Sequence, residues 1–185
     1  AANLNAALTN ATTGTDALTL TINDTTLTSV SDLLALDGKT NVAVNASSVN
    51  SISETIANLN TAYNSAGISG LGNENISITN TGTITAAQIN DLLGETSGTI
   101  TLVGSGNLAI TMTSGQTLDL SGITNSLSGN LSITDSTGNE TIIGTSANDT
   151  LTLSSGNDTV NLGDGSDVIN TTIGNLDTFD NISDG

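Results

Sequence analysis

The chain has 185 residues, with 18 acidic residues against a single base, Lys39, and a formal net charge of −17. So acidic a chain lacks the basic surface that nucleic acids require, and we expect it to bind neither nucleic acid nor anionic membranes. It contains no His and no Cys, which excludes disulfides and makes zinc and iron sites improbable. Nucleophilic catalysis would need a base beside a Ser or Thr, so the composition predicts that the protein is not an enzyme.

Hydrophobic residues make up 35% of the chain and occur in short alternating runs. This pattern predicts ordered strands rather than disorder. No run approaches the ~20 apolar residues that span a bilayer, so we expect no membrane insertion. The first residues lack the basic start and apolar stretch of a signal peptide, and the last two are typical of the middle of a turn. We therefore expect both ends to continue in a longer chain.

Strand-like and helix-like segments alternate up to about residue 98. Alternating hydrophobicity predicts strands at 17–22, 42–46, 76–79, 99–102 and 108–111. Capping boxes, in which a Ser or Thr precedes a Glu or Gln by three residues, predict helices after Ser51–Glu54 and Thr85–Gln88. A weaker signal of this kind is Ser29 with Asp32.

Two of the helix-like segments, VSDLL at 30–34 and INDLL at 89–93, are near copies of each other. Each leads into a turn and a strand. We therefore interpret residues 1–98 as repeats of one solenoid that are interrupted by short helices. A separate small α+β domain is the alternative.

Residues 126–170 divide without gaps into five blocks of nine: SLSGNLSIT, DSTGNETII, GTSANDTLT, LSSGNDTVN and LGDGSDVIN. Four blocks have an acid at position six, and the first has Leu131 there. The acids are Glu140, Asp149, Asp158 and Asp167. Position eight is apolar in every block. Such a strict period indicates a repeat architecture.

Nine residues fit one tight turn and one short strand, in which alternate side chains face opposite ways. The apolar residue at position eight then points inward, as do Leu153 and Leu162 two residues after it. Two blocks would form one coil, so blocks 18 residues apart would stack. This stacking predicts that Glu140 lies beside Asp158 and that Asp149 lies beside Asp167. Asp135 is not at position six, and we expect it to matter less than Asp158.

Stacked carboxylates ~5 Å apart repel by ~3 kcal/mol at an effective dielectric of about 20, and no Lys or Arg lies near them in sequence. A divalent cation that prefers oxygen ligands would neutralise them, and Ca²⁺ is the best candidate. Glycine-rich turns can direct backbone carbonyls towards such an ion. The alternative is that these turns only connect the strands of a metal-free solenoid.

The blocks resemble the RTX nonapeptide, GGxGxDxUx, in which U is a large apolar residue. LGDGSDVIN keeps Gly163, Gly165, Asp167 and Ile169, and LSSGNDTVN keeps Gly156, Asp158 and Val160. The resemblance implies a calcium-dependent parallel β-roll. The helix-and-strand segments upstream resemble repeats that precede RTX blocks in large secreted bacterial proteins, notably cyanobacterial ones. The calcium site implied by the resemblance consists of Glu140, Gly144, Asp149, Gly156, Asp158, Gly163, Asp164, Gly165 and Asp167.

We therefore predict an all-β fold, a parallel β-solenoid or β-roll with a few short helices inserted in the N-terminal half. Its predicted segments are helix-interrupted repeats at 1–98, connecting solenoid rungs at 99–125 and the calcium-binding β-roll at 126–185.

The predicted function is structural. We expect a secreted or cell-surface calcium-binding protein that forms part of a fibre, surface layer or adhesin stalk, and that forms a homo-oligomer or polymer through its solenoid ends. The alternative is a binding module that uses a flat Thr and Asn face, either ice-binding or adhesive. Asn139, Asn148 and Asn157 would form a ladder on it, although the Thr pattern drifts outside residues 141–159.

Overall fold

The computed structural model describes residues 1–11, 16–176 and 178–183. The chain forms two compact units, one of Ala1–Ser77 with Gly94–Thr99 and the other of Ile78–Leu93 with Ile100–Gly185. Both consist mainly of short strands in parallel sheets with a few short helices, an architecture compatible with a parallel β-roll. Across the described ranges, no helix has the length and hydropathy needed to span a membrane. The predicted segments 1–98, 99–125 and 126–185 stay a prediction.

Among its described residues, the first unit contains three helices and strands of two parallel sheets. Strand β1 pairs in parallel with β3, with Thr26 opposite Ser51, and β5 lies on the other side of β3. Strands β2 and β4 form a parallel pair with Val44 opposite Ile68. The elements are α1 (Ala2–Ala7), β1 (Thr26–Leu27), α2 (Ser31–Asp37), β2 (Val44–Asn45), β3 (Ser51–Glu54), α3 (Ile56–Tyr63), β4 (Ile68–Ser69) and β5 (Asn75–Ile78).

Two predictions in this unit are wrong. The segment 17–22 forms only an isolated bridge from Thr21 to Asn45, and not a full strand. The residues predicted as a capping box, Ser51–Glu54, are strand β3, and α3 begins after them without a side-chain cap. The Glu54 carboxylate instead accepts the backbone N–H of Val30 at 3.2 Å, at the start of α2. Its other oxygen accepts the N–H of Thr55, the residue before α3, at 2.7 Å. The helix predicted after this pattern is itself confirmed as α3.

In the part of the second unit that the structure describes, there is one helix and most of the strands. One sheet has the order β15-β13-β11-β8-β6, a second has the order β16-β14-β12-β9, and β7 pairs with β10. The elements are β6 (Gly82–Thr85), α4 (Ala86–Leu93), β7 (Ile100–Gly104), β8 (Leu108–Thr111), β9 (Thr117–Asp119), β10 (Ile123–Leu127), β11 (Leu131–Thr134), β12 (Thr141–Ile143), β13 (Asp149–Thr152), β14 (Thr159–Asn161), β15 (Val168–Asn170) and β16 (Asn181–Ser183).

Helix α4 belongs to this unit, so the helices are not confined to the N-terminal half as predicted. Its predicted capping box is confirmed. The Thr85 hydroxyl accepts the Gln88 N–H at 3.2 Å, and the Gln88 side chain accepts the Thr85 N–H at 2.9 Å. These two bonds satisfy donors that the first turn of a helix otherwise leaves without partners.

The predicted stacking of blocks 18 residues apart is confirmed in the repeat region. Leu151 lies opposite Ile133 in the sheet of β11 and β13, and Val160 lies opposite Ile142 in the sheet of β12 and β14. All four side chains are at most 1% exposed. Since alternate side chains of a strand face opposite ways, the residue at position eight packs inward and its neighbours face out. Leu153 and Leu162 are also buried, as predicted.

Candidate metal centre

The acids at position six tie each block to the block 18 residues away. The backbone N–H of Glu140 donates to Asp158 Oδ1 at 3.0 Å, and the backbone N–H of Asp149 donates to Asp167 Oδ1 at 2.8 Å. The N–H of Asp158 likewise donates to Asp180 Oδ1 at 2.9 Å. Each of these bonds uses one carboxylate oxygen. The second carboxylate oxygens of Asp158 and Asp167 are buried and have no hydrogen-bond partner among the described residues.

Three acids meet at one edge of the repeat region. Asp135, Glu140 and Asp158 each place a carboxylate oxygen within 4.8 Å of the other two. The side chains are 7%, 1% and 1% exposed, respectively. Calcium ligands lie ~2.3–2.6 Å from the ion, so two ligands on opposite sides of it are up to ~5 Å apart. The spacing of the three oxygens therefore fits one calcium ion between them.

Each of the three acids has a buried oxygen without a hydrogen-bond partner. These atoms are Asp135 Oδ1, Glu140 Oε2 and Asp158 Oδ2. Burial raises the pKa of Asp135, and the adjacent Glu140 raises it further. Burial also raises the pKa of Asp158, to which the charges of Asp135 and Asp180 add. Carboxylates that are buried and unpaired are costly, and a bound cation is the partner that would remove this cost.

Asp135 was not among the residues that we expected at the site. The expectation that it contributes less than Asp158 to calcium binding has no support in this geometry. It occupies position one of its block, where GGxGxDxUx has a glycine. Its Oδ2 accepts the Ser154 N–H at 3.0 Å, and its Oδ1 is buried without a hydrogen-bond partner. The signal available in the sequence was an acid at position one, five residues before the acid at position six.

At the opposite edge, the predicted stacking of Asp149 beside Asp167 is confirmed, and a cation there stays a prediction. The Asp149 carboxylate accepts the Thr145 N–H at 2.8 Å and also its hydroxyl, at 3.1 and 3.2 Å. The block 18 residues earlier has Leu131, and not an acid, at position six. Asp149 thus has protein donors for its carboxylate and an acidic neighbour on one side only. Asp167 Oδ2 remains buried without a partner.

The predicted glycines lie where neighbouring turns touch. A side chain on Gly156 would overlap the carbonyl oxygen of Gly138, and one on Gly163 would overlap that of Thr145. Gly163 and Gly165 also have φ values of +84° and +143°, a region that favours glycine. Gly144 is packed in the same way against Leu162. Asp164, in contrast, is exposed to solvent.

The predicted asparagine ladder is present only in part, because Asn139 is linked to Asn157 whereas Asn148 is linked to Ser166. Asn139 Oδ1 accepts the Asn157 N–H at 3.0 Å, and Asn148 Oδ1 accepts the Ser166 N–H at 2.8 Å. These bonds run opposite to those of the acids, since here the earlier block supplies the side-chain acceptor. The side-chain oxygens of Asn139 and Asn148 thus accept hydrogen bonds within the fold, which makes them less available to an external ligand.

The stacked turns of this repeat bring buried carboxylates together and offer only oxygen ligands, which are the ligands that calcium prefers. In agreement, residues 134–169 match the family model 'RTX calcium-binding nonapeptide repeat (4 copies)'. Proteins with this repeat are typically extracellular and not enzymes. No curated protein and no solved structure matches the chain.

Proposed function

We propose that the protein is a secreted, non-enzymatic structural protein whose second unit is ordered by calcium at Asp135, Glu140 and Asp158. Two observations support this most strongly: Asp135, Glu140 and Asp158 each place a carboxylate oxygen within 4.8 Å of the other two, and each has a buried oxygen without a hydrogen-bond partner. A calcium ion here would act by neutralising and crosslinking two turns of the repeat. Binding energy of this kind is also folding energy, because the unfolded chain does not hold the three acids together.

Calcium titration of the chelated protein tests this proposal. We expect far-UV circular dichroism to show strand formation as calcium is added, at concentrations in the ~10⁻⁴–10⁻³ M range that is usual for extracellular sites. The double variant Glu140→Gln with Asp158→Asn is the matched probe, since it keeps the shape of the site and removes two charges. A wild-type spectrum that is unchanged by excess chelator at low salt would disprove the proposal.

The structural role includes assembly through the strands that end each sheet. In the described residues, β15 and β16 have a partner on one side only, so their other backbone groups are available for pairing. The same region carries a set of exposed apolar side chains. They are Val168, Ile173, Leu176, Phe179 and Ile182. The two most exposed are Ile173, which is fully exposed, and Phe179, which is 71% exposed. A second copy of the chain is the partner that we propose for this region.

Light scattering tests the assembly. At millimolar calcium, we expect the mean mass to rise with protein concentration, and Val168→Lys on β15 should prevent this rise without changing the circular dichroism. Lys in place of the exposed Ser155 is the control, because it adds the same charge in a turn. If the wild-type protein stays monomeric at high concentration, the proposed assembly is wrong and the chain is a monomeric spacer segment.

A second candidate function, binding through a flat threonine face, has one observation in its favour. Thr85, Thr111, Thr134 and Thr152 lie directly opposite one another across β6, β8, β11 and β13. A parallel row holds Thr83, Ala109, Ser132 and Thr150. The Thr pattern therefore does not drift along this sheet as the sequence indicated. Neither row contains a charged residue, which is unusual for a chain of net charge −17.

The two rows form a lattice with spacings of ~4.8 Å between strands and ~6.6 Å along them. Such a regular array of hydroxyl and methyl groups suits a crystalline, repeating ligand, of which ice is the simplest. Thermal hysteresis would measure this activity directly, with Thr134→Lys on the face compared with the Ser155→Lys control. The absence of hysteresis in the wild type would eliminate ice as the ligand.

A further inference from the structure

A segment of the first unit carries the nonapeptide pattern outside the matched range 134–169. Residues 69–77 read SGLGNENIS. Aligned with GGxGxDxUx, they place Gly70, Gly72, Glu74 and Ile76 at positions two, four, six and eight. Ile76 is 1% exposed, which is the burial that position eight shows in the repeats.

The backbone of this segment agrees with the alignment. Gly70 and Gly72 have φ values of +85° and +137°. The glycines at the same positions of LGDGSDVIN, Gly163 and Gly165, have φ values of +84° and +143°. Matching left-handed conformations at both positions are not required by the sequence pattern alone. They indicate that residues 69–77 form the same turn as the repeats.

The acid of this turn has its hydrogen bonds made by protein groups. Glu74 is 0% exposed, and its carboxylate accepts the Gly72 N–H at 2.8 and 3.1 Å. The hydroxyl of Tyr63, the last residue of α3, donates to Glu74 Oε2 at 2.8 Å. Burial raises the pKa of Tyr63 well above its ordinary value, and Glu74 raises it further, so the phenol keeps its proton. By comparison, Glu140 has an oxygen without any partner.

The pair of Asp149 and Thr145 shows that this is not an isolated case. There too, a hydroxyl donates to the acid at position six, and no carboxylate oxygen of Asp149 remains unpaired among the described residues. In both turns, a backbone N–H and a hydroxyl donate to the carboxylate, and neither acid belongs to the three-acid cluster. A hydroxyl can replace a cation at such a position because an acid outside the cluster needs only a donor, whereas three clustered acids need a positive charge.

We propose that residues 69–77 are a metal-free form of the repeat, in which the Tyr63 hydroxyl takes the place of a cation at Glu74, so that the first unit keeps its fold without calcium. Calcium then controls the order of the second unit only. The inference about Glu74 does not depend on the proposed function. The contrast between the two units does depend on it, because it requires calcium to order the second unit.

Amide hydrogen exchange of the full chain, read by mass spectrometry on separate segments, tests both statements. On chelation, we expect protection of residues 44–77 to stay within about twofold of its value in calcium, and protection of residues 131–162 to fall at least about 100-fold. Loss of protection in 44–77 on chelation would overturn the proposal. Unchanged protection in 131–162 would instead contradict the calcium dependence of the second unit, and would leave the result for Glu74 standing.

The Tyr63→Phe variant tests whether the Tyr63 hydroxyl takes the place of a cation at Glu74. Without the hydroxyl, a carboxylate oxygen of Glu74 loses its donor, and we expect protection of residues 56–77 in chelator to fall about 10- to 100-fold and to recover in calcium. The double variant with Glu74→Gln is the control, because it has no charge to neutralise and should respond to calcium no more than the wild type does in this segment. If the amide protection of residues 56–77 in Tyr63→Phe is the same in calcium and in chelator, the Tyr63 hydroxyl does not take the place of a cation.

Discussion

Replacing Asp135 by Asn should change the stability of the repeat region in opposite directions with and without calcium. Three carboxylates within 4.8 Å make three pairwise repulsions, each about 3 kcal/mol at an effective dielectric of about 20. The Asn side chain removes the two repulsions that involve Asp135, about 6 kcal/mol at most. Burial and the adjacent Glu140 both raise the pKa of Asp135, in agreement with this repulsion. We therefore expect the variant in chelator to be more stable by about 1–3 kcal/mol.

In saturating calcium the sign should reverse. The ion would lose one of its three anionic ligands, although the Asn carbonyl oxygen still reaches the same place. We expect calcium affinity at this site to fall by about 10- to 100-fold, which corresponds to about 1.4–2.7 kcal/mol. Since binding stabilises only the folded state, the stability in calcium should fall with the affinity.

Urea unfolding followed by circular dichroism, in calcium and in chelator, would measure both effects, and titration calorimetry would give the affinity. Urea is chosen because it adds no ions. Asp164→Asn is the control, since it makes the same change in net charge at an exposed acid of the same repeats. If Asp135→Asn and Asp164→Asn behave alike in both conditions, Asp135 is not a ligand and the three-acid site is wrong.

Three further predictions follow from the same geometry. Asp158→Ala should lower the number of bound calcium ions, whereas Asp149→Ala should destabilise the fold but leave that number unchanged in calorimetry, because Thr145 already satisfies its carboxylate. Folding raises the pKa values of Asp135, Asp149 and Asp158 above 3.8, so the folded chain binds protons more tightly than the unfolded one. In chelator, the thermal midpoint should therefore rise as the pH falls from neutral towards 3.8, and a falling midpoint would refute this. Gly156→Ala should cost about 1–3 kcal/mol in urea unfolding because its methyl group meets a backbone carbonyl, whereas Gly122→Ala, with open space around it, should cost less.

The period of nine was enough to predict the arrangement of the repeat region. A strand alternates its side chains with a period of two, and each block contains one turn and one strand, so blocks 18 residues apart have to stack in register. The inward position of Ile142 and Val160, and the neighbouring places of Glu140 and Asp158, follow from that period alone. These features depend on local geometry repeated many times, which is why the sequence determines them.

Contacts between side chains from different turns were decided only by the tertiary structure. Asp135 joins the acidic cluster because its carboxylate lies within 4.8 Å of Glu140 in its own block and of Asp158 in the stacked block, and no period in the sequence encodes those distances. Glu54 has the spacing of a local helix cap, but besides the N–H of the adjacent Thr55 it receives the N–H of Val30, 24 residues away. The Tyr63 hydroxyl reaches Glu74 only because α3 lies against that turn. Buried acids take the nearest available donor or cation, and the packing of the whole unit determines which one lies nearest.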